Sequence, residues 1–272
     1  NRNGLKLGPR SALLGCQVSS NLGYGAEADN ECRVMNCQFS YNGQTGLVVG
    51  ADSIVSQCVM DHNGGLGMRG DDRCVVESCA AYSNVLAGIS LKYGSVARNC
   101  TAGGNAGTGI SVQNSGRIEG CASYNNTSWG LFANYGGIIR NSTVWMCQLG
   151  IGGNQITVEN CVVRESTFEG MRVGRESTVR ACVSDNNGGH GIQASSSCFI
   201  TGNKCYQNEA SGIKVTDPGF TARNTVVDGN VVIYNTLGGV EVDGEENLII
   251  KNQATNNGTN YSVAANNRLS EV

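Results

Sequence analysis

The apolar positions of this chain fall in short stretches that alternate with polar positions at a period of two. Gly109-Ile110-Ser111-Val112 is typical, because a polar residue there separates two apolar ones directly after a glycine. Alternation over three or four residues is the pattern of a β-strand, and no stretch sustains the 3.6-residue period of an amphipathic helix. The pattern therefore predicts an all-β protein made of many very short strands.

This strand pattern recurs every 21 residues and is marked by a glycine, a cysteine and an asparagine. The marker residues are Gly4, Gly25, Gly46, Gly67, Gly88, Gly109 and Gly130, then Cys16, Cys37, Cys58, Cys79, Cys100 and Cys121, then Asn21, Asn42, Asn63, Asn84, Asn105 and Asn126. The phase slips at a short unit near Gly150 and at a longer unit between Asp217 and Asn230. Identical phase in successive units predicts parallel, in-register stacking of each residue over its copy.

The predicted fold class is therefore all-β, a right-handed parallel β-helix (solenoid) of about 12 coils with a 21-residue repeat. We expect a single domain over residues 1–272 that lacks an upstream segment. Leucine-rich, nonapeptide and hexapeptide solenoids fit less well, because their periods or repeating leucines are not present. The recurring asparagines and cysteines are predicted to form structural ladders, since a buried amide can bond to its copy and a free thiol packs as a small hydrophobe.

Charge and composition narrow the classes of partner. The formal net charge is −3 and charged residues make up 15% of the chain, without a basic stripe, so we expect no binding to nucleic acid. No apolar run approaches the length of a membrane span. The protein is expected to be a monomer without a membrane span.

Three units with nearly identical strands carry a family resemblance: Gly-Ile-Ser-Leu at 88–91, Gly-Ile-Ser-Val at 109–112 and Gly-Ile-Lys-Val at 212–215. Each follows an asparagine by a few residues, and the units resemble the repeats of the pectin-lyase-like superfamily over nearly the whole chain. That resemblance implies contact with carbohydrate, because the superfamily includes pectate lyases, polygalacturonases, alginate-modifying enzymes and phage tailspikes. The chain also resembles uncharacterised secreted β-helix proteins, which implies a secreted or cell-surface location with the signal peptide absent from this sequence. The polygalacturonase motif set is not assembled, because Asp71-Asp72 and Gly189-His190-Gly191 fall on distant units.

The resemblance places functional sites on the outward positions two and four residues after the repeating glycine. On this basis we hypothesise a catalytic group formed by Asp29, Asp71, Asp72, Arg69 and Lys92. Asp29 and Asp71 would lie two coils apart, ~9.5 Å between backbones, at the wide end of the separation expected of an inverting glycosidase. In a lyase, Arg69 or Lys92 would stabilise charge or act as the base. The alternative is a solvated row of charges that discourages aggregation.

Calcium is the one cofactor that the sequence suggests. Asp29, Asp52 and Asp71 would present carboxylate oxygens on neighbouring coils, and Ca²⁺ takes several oxygen ligands.

Two further groups are predicted to bind substrate. Trp129 and Phe132 would offer aromatic surface beside the amides of Gln113 and Asn134, which suits the apolar face and the hydroxyls of a sugar. Contact with another protein segment is the alternative.

The second group is Arg172, His190 and Lys214, whose cations could receive a uronate carboxylate. Surface ion pairs, with His190 as a turn residue, explain this group equally well.

These observations together indicate a carbohydrate-active protein, a polysaccharide lyase or a glycoside hydrolase that acts on an acidic (uronate) polysaccharide. The alternative is a non-catalytic glycan-binding or structural module of a cell surface or tailspike. Whether the chain is an enzyme is left open by its sequence, and polysaccharide is the expected partner in both cases.

Overall fold

A computed structural model describes residues 2–270 of the chain. Regular structure in that range consists of 38 short strands without a helix, so no helix there is long and apolar enough to cross a membrane. The chain divides into two compact units, Asn1–Gly137 (unit 1) and Ile138–Val272 (unit 2). The strands belong to three parallel sheets, here named A, B and C.

In unit 1, every third strand along the chain belongs to the same sheet. Sheet A contains β1 (Leu5–Leu7), β4 (Ala26–Ala28), β7 (Leu47–Val49), β10 (Met68–Gly70), β13 (Ile89–Leu91), β16 (Ile110–Val112) and β19 (Trp129–Phe132). Sheet B contains β2 (Ala12–Leu14), β5 (Arg33–Met35), β8 (Ile54–Ser56), β11 (Val75–Glu77), β14 (Val96–Arg98) and β17 (Arg117–Glu119). Sheet C contains β3 (Gln17–Ser19), β6 (Gln38–Ser40), β9 (Val59–Asp61), β12 (Ala80–Tyr82), β15 (Thr101–Gly103) and β18 (Ala122–Tyr124).

Unit 2 repeats this order. Sheet A contains β22 (Leu149–Gly153), β25 (Met171–Val173), β28 (Ile192–Ala194), β31 (Ile213–Val215), β34 (Gly238–Val242) and β37 (Thr259–Val263). Sheet B contains β20 (Ile138–Arg140), β23 (Thr157–Glu159), β26 (Thr178–Arg180), β29 (Phe199–Thr201), β32 (Val226–Asp228), β35 (Leu248–Ile250) and β38 (Arg268–Leu269). Sheet C contains β21 (Thr143–Trp145), β24 (Val162–Arg164), β27 (Val183–Asp185), β30 (Lys204–Tyr206), β33 (Val231–Ile233) and β36 (Gln253–Thr255).

The predicted fold class is confirmed, since residues in equal phase lie opposite one another on parallel strands. Met68 pairs with Ile89 and Arg69 with Ser90, 21 residues on. Sheets A and B each contain 13 strands within residues 2–270, one more than the expected dozen coils. The proposal of one domain over 1–272 stays a prediction.

The three sheets bury alternate residues in different phases. Most three-residue strands of sheet A bury their first and third residues and expose the middle one, as in β16, where Ile110 and Val112 are buried around a half-buried Ser111. Strands of sheets B and C bury the middle residue instead, as in β17 around Ile118. Sheet A therefore presents one outward side chain per strand, with a second at the turn that follows.

The asparagine ladder is also confirmed. Each buried amide bonds to the next, and the Asn84 Nδ2 to Asn105 Oδ1 distance is 2.9 Å. Asn105 Nδ2 donates in turn to Asn126 Oδ1 at 3.0 Å and to the carbonyl oxygen of Ala81 at 3.0 Å. These buried amides thus satisfy main-chain and side-chain polar groups together.

The cysteines are free thiols, and all except the half-buried Cys16 are buried. Backbone N–H groups point at the sulfur one coil on, as from Cys100 to Cys121 Sγ at 3.4 Å. In unit 2, Cys182 N–H meets Asn203 Oδ1 at 2.9 Å, so asparagine replaces cysteine in the same ladder. The cysteine ladder therefore has a structural, packing role, which asparagine can also fill at the same position. This agrees with the structural ladder predicted from the sequence.

Candidate functional site

Part of the proposed catalytic group lies together on sheet A of unit 1. Arg69 is exposed at the outward position of β10. One strand on, Lys92 Nζ lies 2.8 Å from Asp71 Oδ1, an ion-pair contact that is not aligned as a hydrogen bond. Asp72 keeps one buried carboxylate oxygen that has no hydrogen-bond partner within residues 2–270. The ammonium of Lys92 and the carboxylate of Asp71 thus meet at one edge of the sheet, and Asp72 follows Asp71 directly in the chain.

Asp29 occupies the same edge of the sheet, but Gly50 separates it from Asp71. Asp29 donates its backbone N–H to Leu7, as Asp71 does to Val49, so the two carboxylates share one register position two coils apart. Asp29 is exposed, whereas Asp71 is half-buried. The catalytic roles of these side chains stay predictions.

Asp52, the third residue of the predicted calcium site, is paired with Arg73 instead. Arg73 donates two hydrogen bonds to it, from Nε to Oδ1 at 2.7 Å and from Nη2 to Oδ2 at 2.6 Å. Those hydrogen bonds lower the pKa of Asp52. Across the described residues, 2–270, no group of three or more His, Cys, Asp or Glu side chains is placed to hold a metal ion. Calcium at Asp29, Asp52 and Asp71 therefore stays a prediction that needs Asp52 to leave Arg73.

The two aromatic residues predicted to bind a sugar, Trp129 and Phe132, lie next to each other. The rings of Trp129 and Phe132 lie 5.7 Å apart at 47°, and both residues are half-buried. Gln113 is exposed and Asn134 is half-buried at the turn positions that follow β16 and β19. The strand β19 begins two residues early, at Trp129, because Leu131 is the residue that pairs with Ile110 at the start of β16.

Unit 2 holds the most closely connected polar group on sheet A, which we name the His190–Lys214 cluster: His190, Ser211, Lys214, Glu241 and Asp243. Lys214 Nζ lies 2.6 Å from Glu241 Oε1 and 2.7 Å from Asp243 Oδ1. Ser211 Oγ donates to Glu241 Oε2 at 2.5 Å, and its backbone N–H donates to His190 Nδ1 at 3.1 Å. Strands β31 and β34 supply the opposed pair Lys214 and Glu241.

Burial and neighbouring charges determine the protonation states of His190, Lys214 and Glu241. Burial lowers the pKa of His190, and the nearby charges of Glu169 and Glu241 offset this only in part. Burial alone would also lower the pKa of Lys214, but hydrogen bonds to Asp243 and Glu241 outweigh it and raise that pKa. Burial would raise the pKa of Glu241, but Lys214 and Ser211 bring it below its usual value. Near neutral pH His190 is thus a neutral imidazole, Lys214 an ammonium and Glu241 a carboxylate.

The hydrogen bond from Ser211 selects one tautomer of His190. A nitrogen that accepts an N–H must be unprotonated, so Nδ1 carries the lone pair and Nε2 carries the proton. His190 is consequently arranged as a neutral hydrogen-bond donor through Nε2. The lone pair that a general base would use is already occupied.

Arg172 and Gln193 continue the same outward row. Arg172 pairs in register with Gln193, and Gln193 with Lys214. Arg172 is exposed, and it takes part in no ion pair or side-chain hydrogen bond within residues 2–270. Alternate strands put Arg172 and Lys214 ~9.6 Å apart along the sheet. The structure therefore brings together two of the three predicted residues, His190 and Lys214, with Arg172 two strands away.

The inserted loop borders this row. It begins directly after β31 and runs through residues 217–224, where it turns back on itself between Asp217 and Phe220. Arg175 Nε donates to Asp217 Oδ2 at 2.7 Å, and its guanidinium lies 4.4 Å from the centre of the Phe220 ring. Ser196 Oγ donates to the same carboxylate at 2.6 Å. The loop is thus fixed against the coil at the edge of sheet A.

Comparison with known families gives a direct result for the fold. Residues 3–144 and 129–272 match the family described as "Right handed beta helix region". The chain belongs to this family. No curated protein sequence matches the chain significantly.

Solved structures of other β-helix proteins are similar along most of the chain. The A-module of the Azotobacter vinelandii mannuronan C-5 epimerase AlgE4 matches at 12% identity and a TM-score of 0.71, over 99% of this chain and 91% of that one. An alginate lyase from Paenibacillus matches at 14% identity and 0.53, over 93% and 99%. The catalytic domain of a GH87 α-1,3-glucanase in complex with tetrasaccharides matches at 11% identity and 0.60, over 97% and 64%. At such identities the likeness concerns the fold alone.

Three residues of the cluster, Ser211, Glu241 and Asp243, were not predicted from the sequence. Glu241 could have been found, because Gly239-Val240-Glu241-Val242 restores the strand pattern after the inserted loop and puts Glu241 at the outward position. Ser211 carried no signal, since its role comes from a buried backbone N–H and a hydroxyl that only the register aligns.

Proposed function

We propose that this chain is a carbohydrate-active protein that binds an acidic polysaccharide along sheet A of unit 2. The observation that carries the proposal is the row Arg172, Gln193 and Lys214, with an exposed and unpaired guanidinium at one end of it among the described residues. A guanidinium can hold a uronate carboxylate through two parallel hydrogen bonds. The neighbouring amide and the Nε2–H of His190 would take sugar hydroxyls.

The cluster supports binding better than proton transfer. A general acid or base needs a pKa near the working pH and a free site for the proton. His190 has its Nδ1 lone pair engaged and a lowered pKa, while the pKa of Lys214 is raised and that of Glu241 is lowered. Each group therefore keeps one charge state around neutral pH and serves as a fixed donor or acceptor.

A second candidate function, cleavage of the same type of polymer, is favoured by one observation in unit 1. The Lys92–Asp71 pair lies beside Asp72, which has a buried oxygen without a partner in the described residues, and beside the exposed Arg69. A buried, unsatisfied carboxylate oxygen is costly in a stable protein and is often retained for function. A lyase or a glycoside hydrolase could use these groups to neutralise a uronate and to move a proton.

The proposal includes a secreted or cell-surface location, where such polymers are found. Similar solved structures include the mannuronan epimerase module and the alginate lyase, and the names of both refer to acidic polymers. These enzymes support a carbohydrate ligand without specifying the reaction.

Binding and cleavage are separated by one experiment. The chain is mixed with alginate, polygalacturonate and uncharged dextran, with and without Ca²⁺, and retention in affinity electrophoresis is measured beside the release of reducing ends. We expect stronger retention by an acidic polymer than by dextran. Release of reducing ends that an Asp71→Asn variant loses, with retention unchanged, would establish the second candidate. Equal mobility in all three polymers would contradict both.

A further inference from the structure

Sheet C of unit 1 carries a separate polar depression, which we name the sheet C pocket. It has a volume of ≈ 200 Å³ and lies over β3 and β6. Its outward lining is Gln17, Ser19, Gln38, Ser40 and Tyr41. Sites for drug-sized ligands measure about 300–1,000 Å³, so this pocket suits a single ring. None of these residues belongs to the groups on sheet A.

Tyr41 forms the aromatic wall of the pocket. Its ring stacks on His62 of the next coil, with centroids 4.8 Å apart and planes 13° from parallel. The other ring face is directed toward the preceding coil, where Ser20 holds the equivalent corner position and is too small to cover it. Tyr41 is 61% exposed. One flat aromatic face is therefore presented to the pocket.

A hydrogen-bond network holds this wall and the floor in place. Asp61 accepts from Ser40 Oγ at 2.6 Å and from Gln38 Nε2 at 3.4 Å through one oxygen, while its other oxygen lies 3.0 Å from His62 Nδ1. Burial would raise the pKa of Asp61, but the bonds to Ser40 and His62 bring it below its usual value. The carboxylate is thus ionised and fully engaged, and it orients the ring that supports Tyr41.

We propose that the sheet C pocket binds a neutral pyranose ring, stacked on Tyr41 and hydrogen-bonded by the amides of Gln17 and Gln38. A sugar presents an apolar C–H face to an aromatic ring and hydroxyls to amides, and the pocket supplies both. Its lining carries no cation to pair with a uronate, and the ionised Asp61, opposite Ser40 on the next strand, repels one. The protein would then hold two glycan types, an acidic one on sheet A and a neutral one on sheet C.

The test uses cellohexaose, mannohexaose and a hexamer of α-1,3-linked glucose, with trigalacturonate as the acidic comparator, each titrated into the full chain in a calorimeter. We expect one or more neutral hexamers to bind, and any binding of trigalacturonate to be the same in the unaltered chain and in Tyr41→Ala. Tyr41→Ala should weaken that binding roughly tenfold, by loss of stacking.

Tyr234→Ala is the matched control, because Tyr234 is also an exposed tyrosine at a left-handed corner, with φ 59° against 55° for Tyr41. It should leave affinity unchanged. Gln38→Ala should weaken binding several-fold and serves if Tyr41→Ala fails to fold. The proposal is overturned if no neutral hexamer binds, or if Tyr41→Ala and Gln38→Ala both bind as the unaltered chain does. An Arg172→Ala variant that is no longer retained by acidic polymers should still give the same calorimetric titrations with neutral hexamers. The proposed site on sheet A and the sheet C pocket can therefore be disproved independently of each other.

Discussion

Ser211 donates its backbone N–H to Nδ1 of His190 across 3.1 Å, from one coil to the next. The bond comes from the solenoid register, which puts the residue before each repeating glycine over its copy. It turns a histidine that resembles a catalytic residue in sequence into a neutral donor. The chain has two histidines, His62 and His190, so one variant is enough to assign the signals of each ring.

The tautomer of His190 is the first prediction. Nitrogen-15 spectra of the native chain should show His190 protonated at Nε2 and unprotonated at Nδ1 near pH 7, because Nδ1 accepts the Ser211 N–H. Burial lowers its pKa, so the imidazolium should appear only below pH 6.5, the usual value. A His190→Gln variant assigns the resonances. Protonation at Nδ1, or a pKa above 6.5, would contradict the geometry.

The same pKa shift predicts how stability depends on pH. Because folding lowers the pKa of His190, the unfolded chain binds the proton more readily, and the free energy of unfolding falls as pH drops from about 6.5 through the folded pKa. Urea midpoints of the unaltered chain and of His190→Gln, compared at pH 7.5 and 5, measure this contribution. The variant should lose less stability between the two pH values; an equal loss would assign the change to other groups.

Removal of one ladder amide is the third prediction. Asn105 is fully buried, and its Oδ1 accepts both the backbone N–H and the Nδ2 of Asn84, at 3.1 and 2.9 Å. Asn105→Ala leaves these donors unsatisfied, so the free energy of unfolding should fall by about 2–4 kcal/mol. Urea denaturation measures it.

The control for Asn105→Ala is Asn125→Gly. Asn125 is exposed at φ 52°, a left-handed conformation that glycine adopts without strain. Its replacement should change stability by less than about 0.5 kcal/mol. Equal losses in the two variants would mean that the buried ladder contributes no more than a surface amide.

The cysteine ladder predicts slow thiol chemistry. Burial raises the pKa of Cys74 and of Cys198 to about 11, and a buried thiol that is not ionised reacts poorly. A thiol reagent such as Ellman's should rapidly modify Cys16 in the native chain and all 13 cysteines in guanidinium. Fast modification of several thiols under native conditions would show that the coils open or that the register differs.

The sequence predicted the coils well because the repeat determines them. A glycine, a cysteine and an asparagine at constant spacing mark three corners, and parallel stacking of identical corners is the arrangement that satisfies all of them. Outward positions on sheet A followed from the same register, which is why Arg69, Arg172 and Lys214 were found on the surface.

The connections between these side chains could not be predicted from the pattern. Lys92 reaches Asp71, and Arg73 reaches Asp52, each across 21 residues. The repeat puts these positions side by side, but side-chain length and rotamer decide whether the charged groups touch. Glu241 was overlooked because the inserted loop shifts the repeat by several residues before β34. The sheet C pocket was overlooked because Tyr41 and His62 occupy a corner that holds polar residues in most coils.

If Arg172 on sheet A holds the carboxylate of an acidic polysaccharide, an Arg172→Ala variant should be retained less strongly in alginate than the unaltered chain. Arg180→Ala is the matched control, because Arg180 is an exposed arginine of the same unit whose partner is Glu159, 2.8 Å away on sheet B. We predict that Arg172→Ala weakens retention roughly tenfold while Arg180→Ala migrates as the unaltered chain does. Equal retention of both variants, or a larger loss in Arg180→Ala, would show that the polymer does not bind through Arg172.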